Sequence, residues 1–81
     1  MSDTESRADG RRGFADLLLD LRVQAGLSQE ELADRAGLSV RSIREMEAGR
    51  VARPRKESVR LLASALGLQP DDTEHFLAAA G

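Results

Sequence analysis

Cations are the residues in this chain whose type and spacing suit chemistry. Between Arg35 and Arg60 lie eight basic residues (Arg35, Arg41, Arg44, Arg50, Arg53, Arg55, Lys56 and Arg60) against three acidic ones (Glu45, Glu47 and Glu57). That segment carries a net +5, although the 81-residue chain as a whole carries −2. A guanidinium offers a planar fork of donors that fits phosphates and nucleobase edges. Arg41 can donate two parallel hydrogen bonds to guanine O6 and N7, and Glu45 can accept from cytosine N4. Two plainer readings stand beside this one. The charged run can be a solvated face, and Arg41 and Glu45, four residues apart, can pair within a helix for a few tenths of a kcal/mol.

Catalytic chemistry finds little support. There is no cysteine, so thiol nucleophiles, disulfides and thiolate metal sites are excluded. The single histidine, His75, sits among acids and reads as a solvated surface residue. No glycine-rich phosphate loop and no His/carboxylate cluster with metal spacing appears, so no metal, cofactor or enzymatic activity is expected. Eighty-one residues make one small domain, which buries roughly 60–65% of its unfolded surface. No apolar run approaches the roughly 20 residues of a spanning helix, and no signal-peptide core is seen, so the chain reads as cytoplasmic.

The cations need elements to position them. Gly26-Leu27-Ser28 and Gly37-Leu38-Ser39 are the same junction used twice. In each, glycine suits the left-handed end of one helix and serine the cap of the next. Four residues past each serine stand Leu32 and Ile43, which complete hydrophobic staples with Leu27 and Leu38. Ser28 also has Glu31 three residues on, the pattern of a capping box. Helix two therefore follows Ser28, and helix three spans about residues 40–48. On a wheel of 3.6 residues per turn, Ile43, Met46 and Glu47 face inward, with Val40 at the border. Arg41, Glu45 and Ala48 then face outward, flanked by Ser42 and Arg44.

Around this pair the pattern continues. Residues 1–12 are polar and without periodicity, and read as a disordered tail ahead of a domain over 13–81. Arg7, Arg11 and Arg12 there have a second reading, as an arm laid along DNA. Phe14, Leu17, Leu18, Leu21 and Ala25 mark an amphipathic helix one over about 14–25. Gly49 ends helix three, and Arg50, Arg53, Arg55 and Lys56 surround Pro54 in a loop suited to phosphate contacts. Helix four, about 56–66, buries Val59, Leu62, Ala63 and Leu66, and starts without a Ser/Thr/Asp/Asn cap. Helix five begins at Pro70, with Asp71 and Asp72 favoured in its first turn. Its apolar face of Phe76, Leu77 and Ala80 either closes the core or joins a dimer interface.

Set together, Leu21-Arg22, Leu27-Ser28-Gln29-Glu30-Glu31-Leu32-Ala33, Gly37-Leu38-Ser39, Ile43, Glu47-x-Gly49 and Leu62-Ala63-x-x-Leu66-Gly67 form a recognisable pattern. Residues from about Leu18 to Phe76 resemble the lambda-repressor-like (Xre-type) helix-turn-helix family. The resemblance implies an all-α, compact five-helix bundle with its helix-turn-helix at helices two and three. It implies double-stranded DNA as the partner, with helix 40–48 in the major groove. Arg22 and Glu47 match positions that form a structural ion pair in the family. Gln29 matches a phosphate-contacting position, while Arg41, Ser42 and Glu45 match base-contacting ones, with Arg44 beside them. Val40 departs from the glutamine of the phage repressors, so their adenine reading does not transfer. The loop to Pro54 is one residue longer than the common form. The Arg-Pro-Arg loop and the Phe-Leu-Ala-Ala-Ala end look most like domains at the N-terminus of large actinobacterial regulators, which would make these residues one module of a longer chain. A homodimer on a near-palindromic site is a further expectation. The competing reading is a protein-interaction or antitoxin-like module built on the same fold.

Overall fold

The computed structural model describes residues 10–81, with side chains from residue 13 onward. Five helices and no strand occur among the described residues: α1 (Gly10–Gln24), α2 (Gln29–Ala36), α3 (Val40–Glu47), α4 (Lys56–Leu66) and α5 (Pro70–Ala79). Both serine caps form as the sequence predicts. Ser28 accepts from the Glu31 amide, and Glu31 accepts from the Ser28 amide in return, completing the capping box. Ser39 accepts from the Ser42 amide and starts α3.

The glycine junctions close the preceding helices. Gly37 takes φ +72°, and the next amide, of Leu38, reaches back to the Ala33 carbonyl at 2.9 Å. This six-residue closure satisfies carbonyls that the helix end would leave bare. The same closure ends α1 (Leu27 to Arg22, 3.2 Å) and α4 (Leu68 to Ala63, 3.0 Å), again with leucine after glycine. At the end of α3 it runs from Arg50 to the Glu45 carbonyl at 3.0 Å, which ties the arginine loop to the helix before it.

Each helix packs chiefly against two others, in a closed ring that runs α1, α3, α2, α4, α5 and back to α1. Each also sends at least one fully buried large side chain to the centre: Leu18, Leu32, Ile43, Val59 with Leu62, and Phe76. Phe76 stacks on Phe14 with ring centroids 5.0 Å apart, so α5 closes the core against α1. This is the first of the two roles expected for its apolar face.

Helix one differs from expectation at both ends. It begins at Gly10, so residues 10–12 are helical, while the segment 1–9, with Arg7, lies outside the described residues, as do the side chains of Arg11 and Arg12. Its last residue is Gln24, which leaves Ala25 exposed in the turn. Ala15, unassigned from sequence, is buried. Leu66 is half-buried rather than buried. Among the described residues, no helix is long and apolar enough to cross a membrane.

Candidate nucleic-acid interface

Two neighbouring constellations form around α3. The first is a polar lattice on its inner edge. Arg22 grips Glu47 with both arms, Nε donating to Oε2 at 2.6 Å and Nη2 to Oε1 at 3.0 Å. Its remaining nitrogen, Nη1, donates to the Leu27 carbonyl at 2.9 Å. Only 14% of the Arg22 side chain and 7% of Glu47 is exposed, so this pair is largely withdrawn from water. The hydrogen bonding to Glu47 raises the Arg22 pKa above its ordinary value, against the opposing effect of burial.

Gln29 extends the lattice. Its Nε2 donates to Glu47 Oε1 at 2.9 Å, while its Oε1 accepts from Arg44 Nε at 3.3 Å. A primary amide carries two donor hydrogens, so one N–H of Gln29 stays available for another acceptor. Arg44 also donates from Nη2 to Glu30 Oε2 at 3.2 Å, a solvent-exposed pair. The guanidinium of Arg44 thus leans onto α2, away from the residues that flank it on the α3 wheel.

The second constellation is a groove of about 370 Å³ between the outer face of α3, the loop and the start of α4. Arg41, Ser42 and Glu45 line one wall, and Arg53, Pro54 and Arg55 line the other. Ser39 Oγ accepts from the Ser42 amide and donates to Ser42 Oγ, both at 3.1 Å. The Ser42 hydroxyl proton is then free to be donated into the groove. Arg41 makes no ion pair among the described residues. The intrahelical Arg41–Glu45 pair weighed from sequence is not formed, because Glu45 faces Arg50 Nη1 at 3.5 Å.

The structure therefore brings together five of the residues singled out from sequence, Arg41, Ser42, Glu45, Arg53 and Arg55. Arg50 borders them through Glu45. Gln29 and Arg44 belong to the lattice, one turn around α3. Lys56 lines a separate pocket with Arg53, Leu77 and Ala80. Sequence reasoning passed over three lining residues, Met46, Val51 and Ser58, as parts of this wall. Only Val51 carried a signal, as an apolar residue inside an arginine-rich loop.

Two helices, α2 and α3, meet at a tight glycine turn, and the second presents Arg41 outward, which is the arrangement of a helix-turn-helix. The comparison with family models agrees: the model described as a helix-turn-helix domain matches residues 14–76. The chain belongs to that helix-turn-helix family, and DNA binding is the role its membership supports.

Proposed function

We propose that this domain binds double-stranded DNA in a sequence-specific manner and serves as the DNA-binding module of a transcriptional regulator. The observation that carries the reading is the groove. It gathers in one place hydrogen-bonding side chains that suit base edges, Arg41, Ser42 and Glu45, and cations that suit phosphates, Arg53 and Arg55. The net +5 of residues 35–60, within a chain of net −2, supplies the electrostatic footprint on one part of the molecule. Gln29, Arg50 and Lys56 add phosphate contacts at the margins. Arg44 reaches a base only by leaving its partners on α2. The role is one of binding, without catalysis, in the compartment that holds the DNA.

On a two-fold axis, two such domains read half-sites about 34–36 Å apart, so a near-palindromic site and a homodimer belong to the same reading. The test is selection of bound duplexes from a randomised pool at roughly physiological salt, where counterion-driven binding is weakened. An enriched motif is expected, and its symmetry reports the dimer. Failure to enrich any motif overturns the sequence-specific reading and leaves nonspecific DNA binding by an isolated module or, with the greater weight, the protein-interaction alternative.

A further inference from the structure

Of the four large hydrophobic side chains exposed among the described residues (Leu19, Val23, Val51 and Leu61), only Val51 lines the groove that holds Arg41, Ser42 and Glu45. Its side chain faces a polar, cationic surface rather than the core. Val51 is 37% exposed, so part of its side chain is covered within the domain while the rest is open to the groove. The preceding residue is tied to α3 through its backbone, by the Arg50 amide on the Glu45 carbonyl at 3.0 Å. Pro54 stiffens the other side of the loop by holding its own φ near −65°.

The edges of base pairs in the major groove are polar with one exception, the C5 methyl of thymine. We infer that Val51 is a specificity-determining residue, whose isopropyl group packs on a thymine methyl next to the base pair addressed by Arg41. This rests on the DNA-reading role proposed above and deepens it. The selected site then contains a thymine whose recognition depends on its methyl group alone, and the loop reads sequence as well as holding phosphate.

The experiment uses the enriched duplex and replaces its thymines, one at a time, by deoxyuridine. That exchange removes the methyl and leaves base pairing and the O4 acceptor intact. For the unmodified protein, one position should lose about three- to fivefold in affinity, the scale of one buried methyl group. For Val51→Ala the same exchange should cost nothing measurable, with both proteins compared at a temperature where thermal unfolding shows each to be folded. Uracil replacement that costs both proteins equally, or costs neither, overturns the inference and leaves the DNA-reading role standing. A selected motif without thymine does the same. Absence of any enriched motif overturns both.

Discussion

Glu47 accepts three hydrogen bonds, two from Arg22 and one from Gln29, in a part-buried setting. Removing one partner of such a pair strands the other charge, which costs about 3 kcal/mol or more. Arg22→Met and Glu47→Leu should each lower the urea midpoint strongly, and the double variant should be more stable than either single one. A double variant as unstable as the sum of the singles would show that stranded charge is not the cause. On the outer face the arithmetic differs. Arg41→Ala should relax preference at one base pair and cost about 1–3 kcal/mol there, read by binding to single-site variants of the selected duplex. Arg53→Ala or Arg55→Ala should weaken all sequences alike and shallow the salt slope by about one. Glu31 adds a pH term. The Ser28 backbone amide, and then its hydroxyl, hold the Glu31 carboxyl below its usual range, and the unfolded chain loses that help. The unfolded state therefore takes up the proton first, so this contribution is full at neutral pH and vanishes as pH falls through the depressed folded value. The gap in stability between the natural chain and Glu31→Gln should close on acidification over that window. The Arg22–Glu47 pairing was anticipated only through the family resemblance, because both residues match positions that pair there. The partners of Arg44 and Glu45 were not, because exposed ion pairs differ by less than about 1 kcal/mol and local rotamers decide among them.

At the scale of elements, the two glycine–serine junctions on either side of α2 were the most legible feature, since the left-handed turn and the cap each rest on chemistry that a single residue type satisfies. Helix α4 spans Lys56–Leu66, the range expected, although Arg55 supplies no side-chain cap. Its apolar spacing over Val59, Leu62 and Ala63 sufficed. The start of α1 was hidden because Gly10-Arg11-Arg12-Gly13 bears neither cap nor apolar stripe, so periodicity cannot register a helix there. Gly37 offers a direct test of the junction. Open space surrounds the place where a Cβ would stand, so only the left-handed φ of +72° opposes a side chain. Gly37→Ala should therefore cost about 1–2 kcal/mol and lower the melting temperature by several degrees. Gly37→Asn should cost less, because asparagine tolerates that conformation.

For the whole molecule, the ring of contacts makes α3 depend on helices that never approach the groove. Phe76 is fully buried and reaches α1, which in turn holds α3. Phe76→Ala should cost about 3–5 kcal/mol, and DNA affinity should fall only as far as the folded fraction falls. An affinity loss beyond that, measured where the variant is still folded, would mean that α5 touches DNA or a second copy. The stack of Phe14 on Phe76 has another consequence. These two are the chain's only aromatic residues, with no tryptophan or tyrosine. Near-ultraviolet dichroism thus reports a single contact, the one between the first helix and the last, while the far-ultraviolet signal reports all five helices. The molecule carries its own pair of independent optical probes, and whether their unfolding curves coincide will tell directly whether so small a domain comes apart in one step.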